Sequence, residues 1–292
     1  MILARVPVPK LPSVAAALCA ALLAGCSAAG LLNATVQRNG VTVERGVAYG
    51  DGPRRALDIY RPGEAGPHPL VVFLYGGSWR SGTRETYGFV ATPLAARGAV
   101  VVVPDYRLYP EVAFPGFLRD NAQAVAWAVT HAGALGADPT RVFIVGHSAG
   151  AYNAAMLALD PRWLAQAGLD RAQLAGVVGL AGPYDFLPIT DPDIIPVFAP
   201  VGDGPASQPV SFVDGHNPPL LLLAGDADQR VRPGNTRSLA ARVAAAGGPV
   251  QSRLYPGLGH VGIVTALAPL FRWQAPVLDD VWRFIADGRP AG

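Results

Sequence analysis

From residue 41 onward, short runs of β-branched and other apolar residues alternate with longer stretches in which apolar side chains recur every third or fourth position. The short runs predict strands at 41–48, 55–60, 70–75, 99–104, 141–146, 176–181, 219–224 and 251–255. Several, such as Val100-Val101-Val102-Val103 and Leu220-Leu221-Leu222-Leu223, are apolar without interruption, as parallel strands covered on both faces should be. The longer stretches predict helices at 85–97, 117–133, 149–159, 234–246 and 276–286. Strand–helix units repeated in this way build an α/β fold with a doubly wound, mostly parallel sheet and right-handed crossovers. One stretch breaks the rhythm. Residues 183–217 hold Pro183, Pro188, Pro192, Pro196, Pro200, Pro205 and Pro209, with Phe186, Ile189, Ile194, Ile195, Val197 and Phe198 between them. A structureless loop of that length is unusual inside a compact domain. The segment is either a rigid surface excursion or, the reading favoured here, an insertion above the sheet whose apolar residues cover a pocket.

Ahead of residue 41 the pattern differs. Residues 1–25 carry Arg5 and Lys10, then an apolar run from Leu11 to Leu23 broken only by Pro12 and Ser13. A charged start followed by a short apolar core is the layout of a secretory signal, and the run is too short to span a membrane. It ends in Leu23-Ala24-Gly25-Cys26, which resembles the lipobox of bacterial lipoproteins. The resemblance implies cleavage before Cys26, acylation of its thiol and new amino group, and a place in the bacterial cell envelope. Several acyl chains at about 0.8 kcal/mol per buried CH₂ make such an anchor effectively permanent. Ser27, where an Asp would retain the protein, implies the outer membrane, facing the periplasm. Residues 26–40 are then expected to be a tether, and residues 41–292 a single domain, which suits a chain of 292 residues. Cys19 would leave with the signal and Cys26 would be lipidated, so the mature protein would hold neither a disulfide nor a free thiol.

Composition narrows the chemistry. Apolar residues make up 51% of the chain and charged ones 15%, the balance of a well-buried globular protein. The formal net charge of +2 comes from Arg5 and Lys10; without them basic and acidic residues are equal in number. No stripe of Lys and Arg could neutralise a row of phosphates, so nucleic acid is not an expected partner. Lys10 is the only lysine, so loss of the signal excludes Schiff-base and Ser–Lys chemistry. The chain has no HExxH pair and no Cys cluster, and neither a metal nor an organic cofactor is expected.

What the chain does have is a serine in a special setting. The strand at 141–146 runs into Gly146-His147-Ser148-Ala149-Gly150 and then directly into a helix. The glycines permit a sharp turn that lifts a Ser Oγ above the strand ends, with a helix N-terminus aimed at it. A nucleophilic serine needs a base, and the histidines are His68, His131, His147, His216 and His260. His147 adjoins Ser148 on the turn and would point elsewhere, His131 falls late in a helix, and His68 precedes a strand. His260 sits in a glycine-flanked loop after the last strand, where the chain order Ser, acid, His places the base. The acid should follow a strand between the two, which leaves Asp226 or Asp228, with Asp185 as an outside candidate. Oxyanion donors are found in Tyr75-Gly76-Gly77-Ser78-Trp79, where the backbone N–H groups of Gly77 and Ser78 would act together with that of Ala149.

These residues together resemble the hormone-sensitive-lipase-like and feruloyl-esterase-like carboxylesterases of the α/β-hydrolase superfamily. The resemblance runs from about residue 47 to 286 and includes Leu57-Asp58-Ile59-Tyr60-Arg61-Pro62 and Asp105-Tyr106-Arg107-Leu108-Tyr109-Pro110-Glu111. It implies the α/β-hydrolase fold, with the 183–217 insertion over the active site, and acyl transfer from a small-molecule ester through a Ser148–His260–acid triad. Gly225-x-x-Asp228-x-x-Val231 is similar to the family's acid motif and makes Asp228 the acid. One position departs: Tyr75 stands where the family carries His. The oxyanion donors are backbone groups, so the substitution bears on what holds their loop. Length of the insertion favours short-chain or aryl esters over long triglycerides; the same triad would also serve a formamidase.

Overall fold

A computed structural model of the protein describes residues 28–287 apart from Asn39. Its eight-stranded sheet has the order β1-β2-β4-β3-β5-β6-β7-β8. The strands are β1 (Val41–Ala48), β2 (Ala56–Pro62), β3 (His68–Leu74), β4 (Val100–Pro104), β5 (Ala137–His147), β6 (Leu174–Leu180), β7 (Leu220–Gly225) and β8 (Val250–Tyr255). β1, β2 and β4 pair antiparallel at one edge, and every pairing from β4 through β3 to β8 is parallel. Helices of two turns or more are α1 (Ala28–Thr35), α2 (Gly88–Ala95), α3 (Gly116–His131), α4 (Ala149–Leu159), α5 (Gly234–Ala245) and α6 (Val277–Asp287). The uninterrupted apolar strands are the covered ones: Leu70 to Leu74 and Val100 to Val103 are fully buried. α6 shows the other periodicity, burying Val277, Leu278, Val281, Phe284 and Ile285 along one stripe. α4 buries all of its residues, which its run of alanines permits by letting the helix lie close to the strands.

The order of the strands decides where a site can form. β3 is followed by β4 on one side, and the chain then crosses to the other side of β3 to add β5. The loops leaving β3 and β5 therefore diverge at the carboxyl edge of the sheet, and such a switch point is where open α/β sheets bind ligands. The Gly76-Gly77 turn leaves β3, and the Ser148 turn leaves β5, at this one place.

Two expectations meet the structure differently. Residues 183–217 form no open loop. They fold into a short helix at Ile195–Phe198 and two 3₁₀ turns, Pro205–Ser207 and Pro209–Phe212. Backbone N–H groups of Phe186 and Ile189 donate to Gln208 and Asp203 side chains, both at 2.8 Å, and Phe198 is buried edge-on against Trp79 and Tyr152. The tether over residues 26–40 is corrected in its middle. Residues 28–35 form helix α1, which is docked because Leu32 is buried and the Asn33 side chain accepts from the Phe89 N–H at 2.7 Å. Cys26 and the signal-like segment before it lie outside the described residues.

Candidate active site

Ser148 occupies the turn between β5 and α4 with φ 54° and ψ −121°, a conformation that L-residues adopt only when the surroundings enforce it. The surroundings are the two flanking glycines. A Cβ on Gly146 would lie 2.3 Å from the Gly150 carbonyl oxygen, and one on Gly150 would lie 2.0 Å from that of Leu74. The turn can be this tight only because both positions lack side chains. The Ser148 N–H donates to Leu180 O at 2.8 Å, which ties the turn to the end of β6.

Three side chains converge. His260 Nε2 lies 2.9 Å from Ser148 Oγ, and His260 Nδ1 lies 2.8 Å from Asp228 Oδ2. The other carboxylate oxygen of Asp228 accepts from the N–H groups of Arg230 and Val231, both at 2.9 Å, so the group is fixed on both sides. Asp226 faces away and accepts from the Gly257 N–H at 2.7 Å, while Ala227 N–H donates to Leu258 O at 3.1 Å. These bonds fasten the His260 loop to the end of β7. A Cβ on Gly225 would stand 2.0 Å from Leu258 O, so that approach also depends on a glycine. Asp185 accepts from the Ser238 hydroxyl and is not brought to His260. His68 and His131 bond the carbonyls of Glu64 and Trp127 on their own segments.

His147 lines the same cavity as Ser148 and His260. Its Nε2 lies 3.1 Å from the His260 carbonyl oxygen, and the two rings are 5.1 Å apart. Burial, helped by the neighbouring His260, holds its pKa down to about 3, so it is a neutral ring that supports the His260 backbone.

The donors of the Gly77–Ser78 turn are arranged by three successive positive φ values, 132° at Gly77, 54° at Ser78 and 56° at Trp79. Gly77 O accepts the N–H groups of Arg80 and Ser81, both at 3.0 Å. Among the described residues no acceptor is bonded to the N–H groups of Gly77, Ser78 or Ala149. Trp79 anchors the far end, donating from Nε1 to Asn153 Oδ1 at 2.9 Å.

Tyr75 shows how the loop is held without a histidine. Its hydroxyl donates to Asp105 Oδ1 at 2.8 Å and accepts from Arg54 at 3.0 Å, and its carbonyl accepts from the Tyr106 hydroxyl at 2.8 Å. Arg54 also donates to Gly82 O at 2.7 Å, on the far side of the same turn. Burial, together with Tyr106 and Asp105, raises the Tyr75 pKa, so the phenol stays a neutral donor. Arg54 and Asn153 carry no signal in the sequence, because their partners are far along the chain.

Two cavities meet at Ser148. One, of about 230 Å³, has Trp79, Phe186, Pro188, Ile189 and Ile194 in its wall, mostly from the insertion, together with Thr190, Asp191, Arg230 and Asn235. The other, of about 460 Å³, is bordered by Ser78, Arg80, Asp191, Asp193, Arg230, His260 and Val261. Among the described residues no group of three His, Cys, Asp or Glu side chains is placed to hold a metal ion.

The architecture is the α/β-hydrolase fold, with a serine turn at the carboxyl edge of its sheet. Residues 57–198 match the BD-FAE family. The chain is 27% identical over 245 residues to a probable isoprenylcysteine α-carbonyl methylesterase of Arabidopsis thaliana, covering 76% of this chain and 51% of that one. It is 30% identical over 238 residues to esterase LipC of Mycobacterium tuberculosis, covering 74% and 59%. A kynurenine formamidase of Salmo salar is 34% identical over 147 residues, covering 49% and 47%. This chain thus spans between about half and three-fifths of the length of the esterase relatives. Among solved structures, an inhibited esterase B of Lactobacillus rhamnosis superposes with a TM-score of 0.76 at 20% identity, over 94% of this chain and 95% of that one, a likeness of fold. The chain thus resembles α/β-hydrolase proteins in fold, and its sequence relatives include esterases.

Proposed function

We propose that the protein is a serine carboxylesterase that cleaves short-chain or aryl carboxylic esters through an acyl-enzyme on Ser148. The observation that carries the reading is His260 bridging Ser148 Oγ and the Asp228 carboxylate, at 2.9 and 2.8 Å. His260 takes the hydroxyl proton as Ser148 Oγ bonds to the ester carbonyl carbon. The negative charge on the carbonyl oxygen is met by the N–H groups of Gly77, Ser78 and Ala149. Collapse of the adduct breaks the ester C–O bond, and His260 passes the proton to the departing alcohol. Water then repeats the sequence on the acyl-enzyme and releases the acid, while Asp228 keeps the proton on His260 Nδ1 throughout. The cavity of about 230 Å³, with Trp79, Phe186, Ile189 and Ile194 in its wall, suits a small acyl group. With p-nitrophenyl esters of rising chain length, kcat/KM is expected to be highest from acetyl to butyryl and to fall by octanoyl; a rise toward palmitoyl would refute the short-chain reading. A fluorophosphonate probe should label wild type and not Ser148→Ala. Labelling of neither would mark the protein as a non-catalytic, binding member of the fold.

The match to a formamidase gives a second reading, amide hydrolysis by the same groups. Faster turnover of an N-formyl arylamide than of a butyrate ester would favour it.

The proposal extends to location. The lipobox-like Leu23-Ala24-Gly25-Cys26 supports a lipoprotein anchored in the bacterial envelope, on the periplasmic side of the outer membrane. The protein is expected to fractionate with membranes and to carry acyl mass on Cys26, both lost in Cys26→Ser. Soluble wild-type protein with an unmodified N-terminus would end this reading.

A further inference from the structure

Helix α1 begins at Ala28, two residues after Cys26, a step that the chain spans in at most about 7 Å. The helix does not swing free. Leu32 is turned inward, and the Asn33 side chain bonds the carbonyls of Glu85 and Thr86 at 2.9 and 3.3 Å and the Phe89 N–H. Its outer side shows Leu31, 47% exposed. α1 packs against the 3₁₀ segment Pro269–Gln274, which presents Leu270 at 53% and Trp273 at 81% exposure. Single exposed apolar residues are ordinary on any protein surface. Three on adjoining elements, beside the point where the chain leaves for its apolar N-terminal segment, call for an occupant.

We propose that the face carrying Leu31, Leu270 and Trp273 is seated on the surface of a lipid bilayer. The inference rests on the anchor proposed at Cys26. An acylated residue joined by one residue, Ser27, to a docked helix holds the domain against the membrane, and the surface around α1 must meet the headgroups. A tryptophan ring suits that depth, with leucines reaching the acyl boundary. Among the described residues no helix is long and apolar enough to cross a membrane. The face also leads to the active site. Gly259 and Gly262 share a groove with Trp273, and Val261 between them, 63% exposed, borders the larger cavity at Ser148.

The test uses the full chain in phosphatidylcholine vesicles with brominated acyl chains, which quench tryptophan at the lipid boundary. Wild type is expected to lose emission relative to unbrominated vesicles, and Trp273→Phe to lose distinctly less, at unchanged ester hydrolysis. Equal quenching of the two proteins overturns the proposal. The mass of the N-terminal peptide reads the anchor separately. Acyl mass without Trp273-dependent quenching rejects the face and leaves the anchor standing. Trp273-dependent quenching without acyl mass keeps the face and rejects the anchor. Absence of both signals rejects both, and a dimer whose Trp273 is insensitive to bromine assigns the face to a second copy, which also overturns the proposal.

Discussion

Asp228→Asn is expected to lower kcat by about 10⁴-fold, by analogy with triad hydrolases whose buried Asp is replaced, at a melting temperature close to that of wild type. The reason lies in how the carboxylate is shared. One oxygen accepts two backbone N–H groups and the other faces His260 Nδ1. An asparagine can keep the first arrangement with its amide oxygen, which preserves the turn. Its NH₂ group then points at Nδ1 and stabilises the tautomer with the proton on Nε2, the atom that must take the proton from Ser148. Asp226→Ala should behave in the opposite way. It removes the acceptor for the Gly257 N–H, a loss on the order of 1 kcal/mol, and should slow turnover by less than about tenfold. If Asp226→Ala lost the rate and Asp228→Asn kept it, Asp228 would not be the acid, whatever Ser148 and His260 do.

The second large effect is expected at Gly77. Gly77→Ala should lower kcat by about 10²-fold or more, since displacement of a donor by about 1 Å is enough for a loss of that size. A Cβ at Gly77 would stand 2.1 Å from the Ser81 carbonyl oxygen, and the φ of 132° is itself unfavourable for alanine. The turn must open, moving its N–H groups away from the carbonyl oxygen of the substrate. Ser78→Ala leaves the backbone donor in place and removes only a hydroxyl that accepts from Arg230 at 3.1 Å, so it should retain most activity. Steady-state kinetics on the two variants, with melting curves alongside, separates these outcomes. Equal loss in both would show that the Ser78 hydroxyl takes part.

The elements, and the order of the chemical groups along the chain, are legible in the amino-acid pattern. Each strand from β1 to β8 falls on a predicted run to within a few residues, and α4 coincides with its predicted span at 149–159. These are local properties: uninterrupted apolar runs must be covered, and Gly146 and Gly150 around Ser148 imply a turn that no other residues allow. Tertiary structure decided everything that depends on remote partners. The strand order, with β4 and β5 on opposite sides of β3, has no sequence signature, and it alone brings the turns after β3 and β5 together. Asp226 and Asp228 are equivalent in spacing; they part because the turn after β7 directs one carboxylate to Gly257 N–H and the other to His260 Nδ1. Tyr75 reads in the sequence as a departure from the family. Its function follows from Arg54, Asp105 and Tyr106, which lie 21, 30 and 31 positions away and meet it only in the folded core. Residues 28–35 look polar and small enough for a tether, but Leu32 and Asn33 find partners on α2 and the turn before it. A few specific long-range bonds outweigh weak local preference, because an eight-residue helix draws its stability from packing rather than from its own sequence.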